Sequence, residues 1–211
     1  MPEAYINYYK KSLELLKNVA SSPKPTLLLH ACCGPCSTFP LTFLCPHFAV
    51  TIYYNNSNIF PEAEYARRLE ELKRFLVLFK RDYGYDVNLI VPPYDPAGYD
   101  EFLRPYGDMK EGQLRCHLCY KKRMEEAYDF ATKEGYDWFT TVMTISRQKD
   151  SEILNAIAKE LEPAHLPTKY FYSDFKKNKG IDLAREMRIH YDLYNQLYCG
   201  CRYSLKTSKK E

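Results

Sequence analysis

The stretch Thr26-Leu27-Leu28-Leu29-His30-Ala31 runs directly into Cys32-Cys33-Gly34-Pro35-Cys36. A short apolar run without polar alternation, bounded by turn residues, is the pattern of a strand covered on both faces. Ser21-Ser22-Pro23-Lys24-Pro25 breaks the chain ahead of it, and a helix is expected from Pro35 to about Leu44 behind it. Further along, Ala49–Tyr54 reads as a second strand leading into the polar loop Asn55–Asn58, and Pro61 suits an early helical position. Glu62 to about Arg81 is the strongest helix, with Leu69, Leu72, Phe75, Leu76 and Phe79 on one stripe and Gly84 after it. Val87–Val91 makes a third strand and Trp138–Val142 a fourth, with Lys169–Tyr172 as a last short one. Helices are expected over Cys116–Glu134, Asp150–Glu160 and Ile181–Tyr191, whereas Tyr94–Arg115, broken by Pro96, Gly98, Pro105, Gly107 and Gly112, reads as irregular. On the N-terminal side, residues 4–20 carry Tyr5, Tyr8, Leu13, Leu15 and Leu16 at helical spacing.

Strands alternating with helices imply an α/β fold, a mostly parallel sheet with helices on both faces. Sites in such sheets form outside the carboxyl ends of the strands. Cys32, the Asn55–Asn58 loop, the Tyr94–Cys119 connection and Thr144–Lys149 each follow a strand and are therefore expected at one rim. The organisation expected is an N-terminal helical extension over 1–24, a single α/β catalytic domain over 25–204 and a basic tail over 205–211.

Composition narrows the class. Thirty basic and 27 acidic residues leave a net charge of +3, too small to name a partner by long-range charge alone. Hydrophobic residues at 45% exclude a disordered or low-complexity chain. Twenty tyrosines supply rings that pack, hydrogen-bond or stack on bases. The start fits neither a signal peptide nor a membrane anchor, and no run of 18 apolar residues occurs, so a soluble cytoplasmic protein is expected.

In a reducing compartment, cysteines point to metal binding or thiol chemistry rather than disulfides. The eight cysteines fall as Cys32, Cys33 and Cys36, then Cys45, then Cys116 and Cys119, then Cys199 and Cys201. Cys45, between Leu44 and Pro46, reads as a packed core thiol. The other seven exceed the four ligands of one structural zinc and suit an iron–sulfur cluster with a neighbouring metal. Adjacent Cys32 and Cys33 are poorly placed for a mutual disulfide.

Other residues divide between structural and functional readings. His30, inside the apolar run, reads as a satisfied core histidine before it reads as a ligand. His117, within the Cys-x-x-Cys, stands at a position that often points away from the pair. Asn56 and Asn58 are either loop formers or substrate contacts. The runs Arg67-Arg68, Lys73-Arg74, Lys121-Lys122-Arg123 and Lys176-Lys177 read as solvated helix faces, with RNA contact as the functional counterpart. A P-loop, a GxGxxG fingerprint, a GxSxG elbow, an HExxH helix and an SGGxDS-like pyrophosphate loop are all absent.

Taken in order, LLLHACCGPCS, YYNNSNIFPEAEYARRLEELKRF, VPPYDP, RCHLCYKKRMEEAYDFATKEGYDWFTTVMTIS, YSDFKKNKGIDLAREMRIHYDLYNQLYCGC and the final RYS resemble the cobalamin-independent epoxyqueuosine reductases, the QueH family. The resemblance covers about residues 25–204. It implies a fold similar to adenine-nucleotide α-hydrolase-like (HUP) domains. It also implies the last step of queuosine synthesis on tRNA, a two-electron deoxygenation that turns the epoxide of epoxyqueuosine at the wobble position into an alkene. A [4Fe-4S] cluster and an adjacent mononuclear iron are implied as cofactors. By motif, Cys32 and Cys33, Cys116 and Cys119, and Cys199 and Cys201 stand in the family's cysteine positions, with Cys36 as a further metal ligand. Ser57 replaces the proline of the family's YNPNI segment, which should loosen that loop.

Epoxide removal requires electrons delivered singly, an oxygen-binding metal with an open position, and a proton donor. Asp95, Tyr106 and Asp108, with Tyr94, are the donor candidates before Cys116. The implied partners are tRNA carrying epoxyqueuosine and an unidentified electron donor, with no membrane. Two other classes stand beside this reading. A zinc-stabilised RNA-binding module without redox activity needs only four thiolates, and a thiol–disulfide oxidoreductase leaves two cysteine clusters idle.

Overall fold

A computed structural model describes residues 6–20 and 22–208 of the 211. Five strands form one parallel sheet: β1 (Thr26–His30), β2 (Ala49–Tyr53), β3 (Asn88–Ile90), β4 (Trp138–Thr141) and β5 (Lys169–Tyr170). Their order is β3-β2-β1-β4-β5. Around them lie α1 (Tyr8–Lys17), α2 (Gly34–Leu44), α3 (Glu62–Tyr83), α4 (Pro96–Leu103), α5 (Leu114–Lys133), α6 (Ser151–Leu161), α7 (Gly180–His190) and α8 (Arg202–Ser208). This is the expected α/β architecture.

Period-two geometry sends alternate residues of β1 to opposite faces. Leu27 and Leu29 enter one core with Leu41 and Leu44 of α2 and Leu72, Phe75 and Phe79 of α3. Leu28 enters the other, with Met124, Ala127 and Tyr128 of α5 and Leu154 and Ala158 of α6. All three leucines are fully buried, which is why β1 is apolar without alternation. Each contributes about 2 kcal/mol of burial.

From β1 the chain steps outward to β2 and β3, then returns to place β4 on the other side of β1. The crevice beyond the carboxyl ends of β1 and β4 is therefore the topological switch point. Cys32 leaves β1 there, and a 3-10 turn, Val142–Ile145, leaves β4 there.

Several bounds differ from the sequence expectation. The stretch 94–115 is not irregular throughout. Pro96 occupies the first turn of α4, Asp95 caps it by accepting from the Gly98 amide at 3.1 Å, and a 3-10 turn follows at Arg104–Tyr106. Proline and aspartate here start a helix rather than break one. α3 continues to Tyr83, and Val142 turns out of the sheet. The N-terminal helix spans Tyr8–Lys17, and Tyr5 lies outside the described residues. α8 crosses the expected start of the tail at 205, while 209–211 lie outside the described residues. No described helix is long and apolar enough to cross a membrane.

Candidate metal centre and its cationic cavity

Three thiols gather where β1 meets α2. Cys33 caps α2 in extended conformation, Pro35 occupies the first turn, and Cys32 and Cys36 flank them. Their sulfurs all lie within 4.8 Å of one another, with Cys32 Sγ and Cys33 Sγ 3.8 Å apart. All eight cysteines are free.

Crowding separates their acidities. Hydrogen bonds from the Cys33 and Cys36 thiols pull Cys32 well below the usual thiol range, and Lys149 and Arg123 add to that pull. The same hydrogen bond pushes Cys33 up to about 12, and Cys36 rises too, through its contacts with both neighbours and its burial. Of the three, Cys32 is the sulfur whose anionic form its neighbours favour. The N-terminus of α2 favours that anion, and Gln196 Nε2 donates to Cys33 Sγ at 3.2 Å.

A second set of four stands alongside. Cys116 and Cys119 lie in the first turns of α5, 7% and 8% exposed. Burial raises Cys116, while the Gly112 amide donates to its sulfur at 3.3 Å. Burial pushes Cys119 up to about 12, with Cys199, Cys201 and Cys116 adding to the rise. Cys116 and Cys119 therefore feel the charge of the Cys199–Cys201 turn. The four do not share the close spacing of the first three, which form the one group of three or more metal-ligating side chains that tight among the described residues.

The Cys199–Cys201 turn is clamped from outside. Buried Arg68 on α3 donates to the carbonyls of Tyr198 and Cys199, both at 3.1 Å, and pairs with Glu64 at 2.7 Å. The Phe60 amide donates to the Gly200 carbonyl at 2.8 Å. Gly200 has φ +122°, and a Cβ there would sit 3.1 Å from Arg68 Nη1 and from Ile59 Cγ1, so glycine is required twice over.

A cavity of about 620 Å³ opens onto both cysteine sets. Cys32, Cys36 and Cys199 reach it, and one face of α7 lines it with Ile181, Ala184, Arg185 and Arg188. Arg147 and Lys149 enter from the segment after β4. Among the described residues, Arg147, Arg185 and Arg188 have no carboxylate within ion-pair distance. Glu111 is the sole acidic group among the described lining residues, and Leu197, 85% exposed, stands at the mouth.

The remaining sequence candidates have definite places. Asn56 is buried, its Nδ2 donating to the Ala31 carbonyl at 2.7 Å and its Oδ1 accepting from Arg123 at 2.6 Å. Asn58 Oδ1 is buried without a partner in a small cleft beside Cys201. Asp95 is the exposed cap of α4, and Tyr94 donates to the Ile59 carbonyl at 2.7 Å. Asp108 is exposed and Tyr106 half-buried, and neither lines the cavity. His30 is a core histidine, fully buried, 2.8 Å from Thr141 Oγ1, and desolvation holds it down to about 3. His117 Nε2 is buried without a partner. Cys45 is buried at the C-terminus of α2, where loss of solvent pushes it up to about 12.

Two basic runs are not the solvated faces they suggest, since Arg68 and Arg123 are 1% and 2% exposed. Glu111, Lys149 and Gln196 were not marked by motif. For Arg123 a signal existed: it follows Cys116 by seven residues and Cys119 by four, on one helical face.

A family model described as Epoxyqueuosine reductase QueH matches residues 27–207. An Epoxyqueuosine reductase QueH of Staphylococcus aureus is 35% identical over 97% of this chain and 86% of its own length. One from Streptococcus pyogenes is 36% identical over 97% and 80%, and one from Thermotoga maritima 30% identical over 85% and 90%. Matches of that breadth span both cysteine sets and the cationic cavity between them, and the chain belongs to the QueH family of epoxyqueuosine reductases.

Proposed function

We propose that this protein reduces epoxyqueuosine in tRNA to queuosine, removing the epoxide oxygen as water at the cost of two electrons and two protons. The observation that carries this reading is the convergence of two thiol sets on one cavity rimmed by unpaired cations. Family membership supports the same reaction.

The donor set fits the implied metals. Soft thiolates favour iron and iron–sulfur clusters over oxygen-loving cations. Three sulfurs within 4.8 Å suit a single ion, and Cys32, Cys33 and Cys36 would leave a fourth position open on it. Four thiols spaced more widely suit a multi-iron cluster, so Cys116, Cys119, Cys199 and Cys201 would hold the [4Fe-4S] group. When bound, the cluster supplies single electrons and the lone iron a Lewis acid for oxygen.

The chain's own groups do the rest. Arg147, Arg185 and Arg188 hold phosphates of the anticodon loop, which leaves the wobble nucleoside free to turn into the cavity. Tyr198 and Leu197 at the mouth offer surface for stacking against the neighbouring bases. Glu111 delivers a proton to the departing oxygen, ahead of Asp95, Tyr106 and Asp108, because it alone of these lines the cavity.

The test is anaerobically purified protein given tRNA bearing epoxyqueuosine and a low-potential reductant, with nucleosides analysed by mass spectrometry. Loss of one oxygen atom from the modified nucleoside is expected. Binding of that tRNA without oxygen loss, by protein holding zinc and no sulfide, would replace the reductase with an RNA-binding module.

A further inference from the structure

We propose that Arg123 is the fixed counter-charge of the metal–thiolate centre, held between the two cysteine sets by Asn56 and His30. The inference rests on the reading given under Proposed function and concerns a residue outside the cavity lining.

Arg123 lies on α5 one helical turn beyond Cys119 and is 2% exposed. Its Nη2 donates to Asn56 Oδ1 at 2.6 Å and lies 3.3 Å from His30 Nε2. Asn56 has no freedom to turn away, because its Nδ2 is committed to the Ala31 carbonyl, one residue before Cys32. The guanidinium is thus tied to the backbone that presents the first cysteine set while rising from the helix that presents the second.

No carboxylate balances it. Among the described residues none lies within ion-pair distance of Arg123. The acid nearest in sequence on the inward turn, Glu126, is already taken by Asn55 Nδ2 at 2.7 Å, Tyr99 Oη at 2.5 Å and Lys122 Nζ at 2.8 Å. Arg123 Nε is buried and has no acceptor. A buried guanidinium without a carboxylate partner is strongly unfavourable unless another negative charge faces it, and the two cysteine sets can supply one. Arg123 stands one helical turn beyond Cys119, and through Asn56 it is fixed to the carbonyl that precedes Cys32, so both cysteine sets flank it. Thiolates bound to iron would supply a permanent anion beside this guanidinium.

Two variants separate charge from packing. Arg123→Gln keeps a donor for Asn56 and removes the charge, whereas Arg123→Lys keeps the charge. Iron and acid-labile sulfide per chain, the midpoint potential of the anaerobic protein and the melting temperature of metal-free and metal-loaded forms are measured for each. A nearby positive charge favours the reduced, more anionic cluster, so R123Q is expected to shift the potential to more negative values and to lose iron and sulfide, with R123K nearer the parent. The metal-free R123Q protein is expected to melt no lower than the metal-free parent, while the loaded R123Q melts below the loaded parent.

A merely structural arginine would lower both melting temperatures together and leave the potential unmoved. That outcome, with the parent fully loaded, overturns the counter-charge alone. A parent protein without iron or sulfide overturns both this inference and the reductase reading.

Discussion

The guanidinium of Arg68, on the third helix, holds the carbonyl of Cys199, 131 residues later in the chain, at 3.1 Å. Its other terminal nitrogen takes the Tyr198 carbonyl, and its Nε pairs with Glu64 at 2.7 Å. One buried side chain thus positions the turn that presents two of the seven clustered thiols, in a segment with little regular structure of its own.

Arg68→Met is accordingly expected to destabilise the protein by about 3 kcal/mol, because Glu64 and two carbonyls lose a charged donor in a buried setting. Denaturant unfolding checks the magnitude. Arg68→Lys keeps the charge but not the fork, and should recover only part of the loss. If Cys199 and Cys201 hold part of the metal, as proposed, iron per chain should fall in both variants, more in Met than in Lys.

Much of the frame was legible because parallel strands and buried helices leave strong patterns. Leu27, Leu28 and Leu29 are apolar in succession because both faces of β1 are covered, and the cysteines after them had to reach the sheet's carboxyl edge. The apolar stripe of α3, Leu72, Phe75 and Phe79, was equally plain. What stayed hidden depended on pairing across the fold. Arg68 and Arg123 sit in basic runs whose other members are more exposed, and only tertiary contacts with carbonyls and with Asn56 draw them inside. Asn56 reads as a polar loop residue, yet both ends of its amide are committed to Ala31 and Arg123. Pro96 resembles a breaker in sequence, yet with Asp95 it forms a capped helix start in three dimensions.

RNA binding should depend on salt through the unpaired arginines at the cavity. Arg185 and Arg188, three residues apart on one face of α7, have no carboxylate within ion-pair distance among the described residues to release before taking a phosphate. Replacing both by alanine should weaken binding of an anticodon stem-loop and reduce the slope of log affinity against log salt by about 0.7 per arginine. Titrations at several salt concentrations give both quantities, and an unchanged slope would move the RNA to another face.

Acid should loosen the segment leading to Cys199 through Glu71. Its hydrogen bonds with Arg74, aided by the Tyr194 amide at 2.9 Å, hold the carboxyl below its usual value of 4.5. A folded-state value below the unfolded one gives a contribution fully present above about pH 5 and lost as pH falls through the folded value. With Arg74 42% exposed, solvent limits that contribution to about 1 kcal/mol. Glu71→Gln should therefore be less stable than the parent at neutral pH, and the two unfolding curves should converge as the solution is acidified below about pH 4.

Two single substitutions can separate the thiol sets by their products. Cys36 shares its site with Cys32 and Cys33 inside 4.8 Å, whereas Cys116 belongs to the wider set with Cys119, Cys199 and Cys201. If the first set holds one iron and the second a cluster, Cys36→Ala should lower iron while leaving sulfide close to the parent level. Cys116→Ala should lower iron and sulfide together, bleach the visible absorption of the cluster and abolish turnover. Removing a buried sulfur from a position already 7% exposed leaves only a small void, so the change in fold stability should be near 1 kcal/mol and the metal analysis will not be confounded by unfolding. Equal loss of sulfide in both variants would mean that the seven thiols serve one centre, and the partition would have to be redrawn around Cys32.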